Sequence, residues 1–476
     1  IYTGEDTLSL HDALPISADL DTIVSLAKRR GFVFPSAEIY GGFANTYDYG
    51  PLGVELKRNI REAWWRSMVR ERDDVVGLDA ALITNPRVWV ASGHVANFTD
   101  PLVDCKKCQQ RFRMDHLEEG AYGEIKRDAN GAIICPNDGG ELTEPRMFNM
   151  MFRTQVGPIA NDENTAYLPP ETAQGMFVNF ENVVSSMRRK LPFGIAQTRT
   201  SFRNEITPGK FIFRTLEFEQ MELEYFCKPP ADRSDISGYL AQHRDWIQQR
   251  LTWYIDRVGI DPARLRLREH AKEELSHYSA GTTDIEYLFP WGWGELEGVA
   301  ARTDFDLGAH GKESGHPLTY FDEETNQHVV PWVIEPAAGL SRTFAVVMLE
   351  SYNEELDEKG EKRVVLKFRP NIAPIKVAVL PLSKNEKLQP AARRVYDLVR
   401  PNWMSQYDET QSIGRRYRRQ DEIGTPLCVT VDFQTVGEGD TPGDDAVTIR
   451  ERDSQSQVRV PIANLLEALR DRLPGC

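Results

Sequence analysis

The stretch SFRNEITPGKFIFRTLEFEQMELEYF, Ser201 to Phe226, decides how the chain is read. It reads as two strands around a turn. A purely structural hairpin alternates apolar with polar residues, yet this one carries Arg203, Glu205, Arg214, Glu217, Glu219, Glu222 and Glu224. Side chains two apart share a strand face. Arg199, Ser201, Arg203 and Glu205 therefore share one face of the first strand, and Arg214, Phe218, Gln220, Glu222 and Glu224 one face of the second. Arginine forks a phosphate, a carboxylate accepts from an amino group, and a phenyl ring stacks on a base. The set suits a nucleotide; the competing reading is an exposed face laced with cross-strand ion pairs. A second segment, EPAAGLSR, moves the balance toward phosphate. It sets Gly339 at a strand-to-helix turn and Arg342 in the first helical turn, where free amides and the helix dipole favour anions.

Working outward, 476 residues are too many for one compact core and predict two or three domains. A net charge of −15 argues against a generic basic nucleic-acid coat, although local basic stretches such as IGRRYRRQDE (Ile413–Glu422) still offer a binding face. The longest apolar runs are far too short to span a bilayer, so no membrane partner is expected. Six scattered cysteines make no disulfide framework and fit a reducing cytoplasm. Residues 1–16 read differently from the rest. TLSLHDALPI, Thr7–Ile16, back-translates into the end of a short-read sequencing adapter, so this segment is expected to be a library artefact outside the fold.

Amphipathic spacing predicts helices over Leu20–Phe34 and Val54–Val69, a strand over Val75–Pro86 closed by proline, and strands over Thr283–Leu307 and Val329–Pro336. Two insertions are expected, a polar one at about 104–144 and a helical, charge-rich one at about 229–272. A helix runs through SRTFAVVMLESYNEEL, and from 370 to 476 the pattern predicts an independent βα domain. In that domain GRRYRRQDE reads as a basic loop with an interleaved tyrosine, either a solvated charge run or a site for single-stranded bases. Cys105, Cys108 and Cys135 have zinc spacing, but Asp138 stands where a fourth cysteine is expected. With His116 as a further candidate, zinc and plain thiols both stay open.

These residues resemble a known family. FRNEITPGKFIFRTLEFEQME resembles the second signature motif of class II aminoacyl-tRNA synthetases, and GLSR the third. YDYGPLGVELKRNI, NPRVWVASGH, PETAQGMFVNF, GTTDIEYLFPWGWGEL, RTDFDL and GRRYRRQDEIGTP are similar to the homodimeric glycyl type, in order from about Asp19 onward. The resemblance implies an α+β fold: a six-stranded antiparallel catalytic sheet flanked by helices over 19–365, then an α/β anticodon-binding domain over 370–476. It also implies a homodimer that joins glycine to tRNA(Gly) through glycyl-adenylate, with ATP as substrate and Mg²⁺ beside it.

Carried over by position, Arg203 holds the α-phosphate, Glu205 reads the adenine amino group, Phe218 stacks on the ring and Arg342 holds the γ-phosphate. Asn204, Phe213, Arg214, Glu295, Leu296 and Gly339 complete the ATP set. Glu171, Glu222 and Glu335 match the acidic amino-acid pocket, joined by Phe218, Ala337 and Arg113. Three positions depart from the pattern. Pro169 stands for arginine in LPPETAQG, Ala337 for serine, and Leu216 for arginine in the second motif. Two competing functions are a catalytically impaired synthetase-like module that binds nucleic acid, and a class II ligase for another amino acid. Joint retention of Arg203, Glu205, Phe218 and Arg342 speaks against the first, and the acidic pocket against the second.

Overall fold

The computed structural model describes residues 19–476 apart from 121, 160, 162–163, 207–208, 276–278 and 357–359. The proposed artefact at 1–16 lies outside the described residues. Helix α1 (Leu20–Arg30) begins where the Asp19 carboxylate accepts from the Thr22 amide at 2.7 Å, and it ends at Gly31, whose φ of 75° only glycine adopts without strain. Helix α2 (Pro51–Trp65) starts with proline in its first turn, where a missing N–H costs nothing.

Seven strands form the central sheet: β1 (Val75–Gly77), β2 (Phe193–Phe202), β3 (Glu217–Cys227), β4 (Leu265–Glu269), β5 (Thr282–Phe289), β6 (Gly292–Thr303) and β7 (Trp332–Gly339). Their order is β4-β5-β6-β7-β3-β2-β1. The six strands from β4 to β2 pair antiparallel as expected, and β1 adds a short parallel edge. Alternation along β3 divides its residues cleanly. Met221, Leu223 and Tyr225 turn into the main core with Leu56, Ile60 and Trp64 of α2, Trp246 and Trp253 of α3 (Ser237–Trp253), and Phe344 of α5 (Leu340–Ser351). Burying each large side chain contributes roughly 1.5–3 kcal/mol, which fixes the register of the strand. Phe218, Gln220 and Glu222 are thereby forced onto the opposite face, where the cavity described below lies. Helix α4 (Phe305–Ser314) follows β6.

The C-terminal sheet has the order Ser405–Tyr407, Val377–Pro381, Leu427–Val431, Ala446–Glu451, Gln457–Pro461, the first three parallel and the rest antiparallel. Its core is separate, built from Val377, Val379, Val395, Val429, Ile449 and Leu465 among others.

Several sequence expectations change. The helix expected over Leu20–Phe34 ends at Arg30, where Gly31 closes it, and Val33–Pro35 is a short strand. The strand expected over Val75–Pro86 lasts only from Val75 to Gly77; beyond it Ala80 N bonds the Gln197 side chain at 2.7 Å and leaves the ladder. The expected helical insertion at 229–272 ends in β4, the outer strand of the catalytic sheet. The helix through SRTFAVVMLESYNEEL stops at Ser351, and Tyr352–Leu356 turns back as a hairpin with Lys362–Leu366. GRRYRRQDE is not a loop but helix α6 (Ile413–Glu422). One of its arginines, Arg416, is wholly buried and donates to the carbonyls of Pro381, Leu382 and Asp408.

Candidate active site

A cavity of about 270 Å³ lies over the polar face of the sheet, with arginines at one end and carboxyls at the other. Cross-strand register explains the composition. Glu222 of β3 pairs with Ala337 of β7, which pairs with Gly298 of β6; one step along, Glu335 pairs with Ala300. Small residues on two adjacent strands thus make a floor that acids surround.

At the cationic end Arg203 follows β2, its Nε donating to the Pro170 carbonyl at 3.0 Å and its guanidinium 5.2 Å from the Phe218 ring centre. Arg342 stands in the first turn of α5. It donates to the Phe213 and Glu295 carbonyls at 3.3 and 3.1 Å, pairs with the Glu295 carboxylate at 3.1 Å and lies 4.6 Å from the Phe213 ring centre. Arg342 is the leading cause that holds Glu295 below the ordinary carboxylate range. Glu205, Phe213, Arg214 and Gly339 line the same space.

At the acidic end Glu171 pairs with His94 at 3.3 Å and accepts from Gln174 at 2.7 Å. Burial alone would raise its carboxyl, but His94, Arg302 and Gln174 together hold it far below the usual range. Glu222 accepts from the Thr172 amide at 3.0 Å, the Thr172 hydroxyl and the Gln220 amide at 2.5 Å. Burial, with Glu335 and Glu171 nearby, nonetheless pushes it up to about 8. Glu335 is pushed up to about 7 by burial, which Arg302 opposes and Glu171 assists. Arg302 sits among them, forking Asp306 at 2.8 Å from each nitrogen and reaching Glu335 at 2.8 Å.

The structure brings most of the expected residues together and leaves three aside. Leu296 does not line the cavity. Two residues of β6 oppose one step of β5 between Glu286 and Ile285, so Leu296 is a bulge residue: alternation reverses there, Glu295 faces the cavity and Leu296 is buried in the core. Arg113 lies outside the lining, held by Asp100 at 3.0 Å and forked onto Asp115. Asn204 is also outside it, its backbone amide tied to the Met150 carbonyl at 2.8 Å. Arg203 and Glu205 lie beyond the end of β2, so strand parity does not govern them. Sequence reading assigned no role to Arg302, His270 or Asp284, all of which line the cavity. For Arg302 the signal was present: an arginine four residues before an aspartate at the end of an apolar strand.

The departures from the family pattern have visible settings. Pro169 is buried and its carbonyl accepts the Phe202 amide at 2.8 Å, so the Pro169–Pro170 pair braces both the end of β2 and Arg203. Ala337 belongs to the small-residue floor. Leu216 contributes backbone only here, its carbonyl accepting from the Arg203 amide at 3.0 Å.

Apart from the cavity, Cys105, Cys108, Cys135 and Asp138 bring four ligand atoms within 4.8 Å of one another, without His116. The Cys108 and Cys135 sulfurs are 3.7 Å apart, close to the edge of a tetrahedron with metal–sulfur bonds of about 2.3 Å. A Cβ on Gly140 would meet the Cys105 sulfur at 2.7 Å, so the loop closes tightly around the donors. The donor set fits zinc.

Comparison with known proteins gives the same class as fold and cavity. Residues 152–352 match the tRNA synthetase class II core domain (G, H, P, S and T), and residues 376–472 match the anticodon binding domain. The molecule is therefore a class II synthetase core joined to an anticodon-binding domain. It is 54% identical over 472 residues to the glycine–tRNA ligase of Thermobifida fusca, covering 97% of this chain and 99% of that one. It is 54% identical over 470 residues to that of Streptomyces coelicolor (96% and 99%), and 52% over 466 residues to that of Geobacillus thermodenitrificans (94% and 97%). The chain belongs to the glycine–tRNA ligase family.

Proposed function

We propose that the chain activates glycine with ATP and transfers the glycyl group to the terminal ribose of tRNA(Gly). The observation that carries this reading is the division of one cavity into a guanidinium end and an acid-walled, small-floored end. Arg203, Arg214 and Arg342 suit the phosphates, with Arg203 at the α-phosphate and Arg342 at the γ-phosphate. Phe218 stacks on adenine and Glu205 accepts from its amino group. Phe213 and Gly339 complete the ATP contacts. Glu171, Glu222 and Glu335 receive the ammonium, while Phe218 and Ala337 bound the space. Excluding a larger side chain over a floor of Gly298, Ala300 and Ala337 is easier than preferring a smaller one.

In the first step a carboxylate oxygen of glycine attacks the α-phosphorus and pyrophosphate leaves. Such displacement needs positioning and positive charge rather than a protein nucleophile. Arg203 and Arg342 fix the two ends of the triphosphate, which aligns the attacking oxygen with the leaving group. In the second step a ribose hydroxyl attacks the acyl carbon and AMP departs. Glu295 would hold Mg²⁺, which supplies charge neutralisation at the phosphates when bound; its ionised carboxylate beside Arg342 suits a hard cation. Cys105, Cys108, Cys135 and Asp138 would hold Zn²⁺ as a structural ion; metal analysis finding none in purified protein would reject this.

Residues 19–365 serve as the catalytic domain and 370–476 as the anticodon-binding domain, in a cytoplasmic homodimer. Among the described residues no helix is long and apolar enough to cross a membrane. The test is ATP–pyrophosphate exchange across a panel of amino acids, with Pro169→Arg alongside. Exchange dependent on glycine alone supports the reading, and silence in both proteins rejects it.

A further inference from the structure

Behind the acidic end of the cavity lies a carboxyl that the reaction above does not use. Glu224 is on the same face of β3 as Glu222. It is 0% exposed, and among the described residues neither of its carboxyl oxygens has a hydrogen-bond partner. Its register partner on β2 is the apolar Ile195. On its other side Glu222 pairs with Ala337 and Tyr225 with Ile334, which sets Glu224 beside Glu335 of β7. The charged or titratable groups that face it are Glu222 on its own strand, Glu335 on β7, Arg302 on β6, Asp306 on α4 and Tyr239 on α3. Glu171 and its partner His94 lie beyond Glu222.

The arrangement has more acid than base. Glu171, Glu222, Glu224, Glu335 and Asp306 surround one guanidinium, and Arg302 has already committed its nitrogens to Asp306 and Glu335. Carboxylates crowded into a buried site keep protons, because desolvation and mutual repulsion both disfavour the charged form. Glu224, with no donor at all, is the strongest case for a carboxyl held neutral.

We infer that amino-acid capture here is a cation exchange: the incoming ammonium displaces one proton from the Glu222 and Glu335 pair, while Glu224 behind them keeps its own proton and takes no part in the exchange. The inference rests on the reading of this pocket as the glycine site. One positive charge enters as the ammonium, its N–H groups donate to the freed carboxylates, and one proton leaves to solvent. The net charge of the acidic end is unchanged, with the glycine carboxylate directed to the arginine end, so no isolated ammonium is buried. The direction at each group agrees: burial raises Glu222, Glu335 and Glu224 alike. The sign of the pH effect follows. Below about 7 both lining carboxyls hold protons and the ammonium must displace one; above about 8 they are already ionised. Glycine affinity therefore rises with pH and then levels.

The test has two readouts. Calorimetry of glycine binding at pH 7 in phosphate and in Tris, which differ in protonation enthalpy, should report about one proton released per glycine. The KM for glycine in pyrophosphate exchange should fall roughly five- to tenfold from pH 6 to pH 7 and flatten above pH 8. Glu222→Gln should abolish the release and flatten the profile, and Glu224→Gln should keep both as in the parent. Equal binding heats in the two buffers, or a flat profile in the parent, would overturn the inference. A Glu224→Gln protein that loses the release would overturn the role given to Glu224. Exchange with a pH-independent KM rejects the coupling alone, whereas no exchange and no glycine heat reject the ligase reading as well.

Discussion

Two groups of arginines in this chain, those of the cavity and those of α6, behave differently in the fold. In the cavity, Arg203 and Arg342 are steadied by backbone carbonyls and aromatic rings, with only one carboxylate, Glu295, among the groups that hold Arg342. In α6 the arginines are largely spent on the protein itself. Arg416 caps three backbone carbonyls, Arg419 grips Asp408 and Thr410, and Arg418 pairs with Glu361. Helical spacing separates them further: Arg415 is exposed one residue before the buried Arg416. A guanidinium is available to a phosphate only where its partners are weak or neutral. Counting arginines in a run does not reveal that.

Substitutions at three positions sharpen the contrast. Arg342→Ala should reduce glycine-dependent exchange by roughly 10²–10³-fold, because a preorganised cation at the leaving phosphates is lost, while the melting temperature barely moves. Arg342→Lys should recover part of the rate, since the charge returns without the fork. Arg416→Ala should do the reverse. It removes the donor that three backbone carbonyls share, one of them buried, and should cost about 2–4 kcal/mol in urea unfolding, with exchange per folded molecule unaltered. If Arg416→Ala instead unfolds normally but weakens tRNA binding, the division drawn here is wrong. Arg415→Ala should have the smallest effect: about a two- to fivefold higher KM for tRNA, diminishing at high salt, with exchange untouched.

Much of the catalytic sheet was legible because its signals are local. Alternation in LEFEQMELEYF fixed the faces of β3, and the Gly339–Arg342 turn gave the start of α5. What alternation cannot report is a bulge, so Glu295 and Leu296 exchanged faces without any mark in their residue types. Nor could it extend past the end of a strand to Arg203 and Glu205, whose positions depend on the Pro169–Pro170 brace and on Leu216. GRRYRRQDE was taken for a loop because its charge obscured its spacing. The buried residues Arg416 and Gln420 are four apart, a helical repeat, but neither is apolar. Arg302 was missed although Asp306 stands four residues on, because the other acids around it, Glu171, Glu222, Glu224 and Glu335, come from three distant stretches of chain.

The two stretches that looked like insertions also part company. The cysteine-bearing module closes on its own small core of Val103, Cys105, Phe112, Leu117 and Cys135. The segment carrying α3 does not. Arg250 of α3 forks Glu297 of β6 at 2.6 and 3.1 Å, and both side chains are 0% exposed. Excising α3 would strand an unpaired carboxylate against the back of the very strand whose front forms the pocket floor. The first module is modular in the engineering sense and could be trimmed or swapped; the second has become a keystone, and a minimal version of this enzyme must retain it.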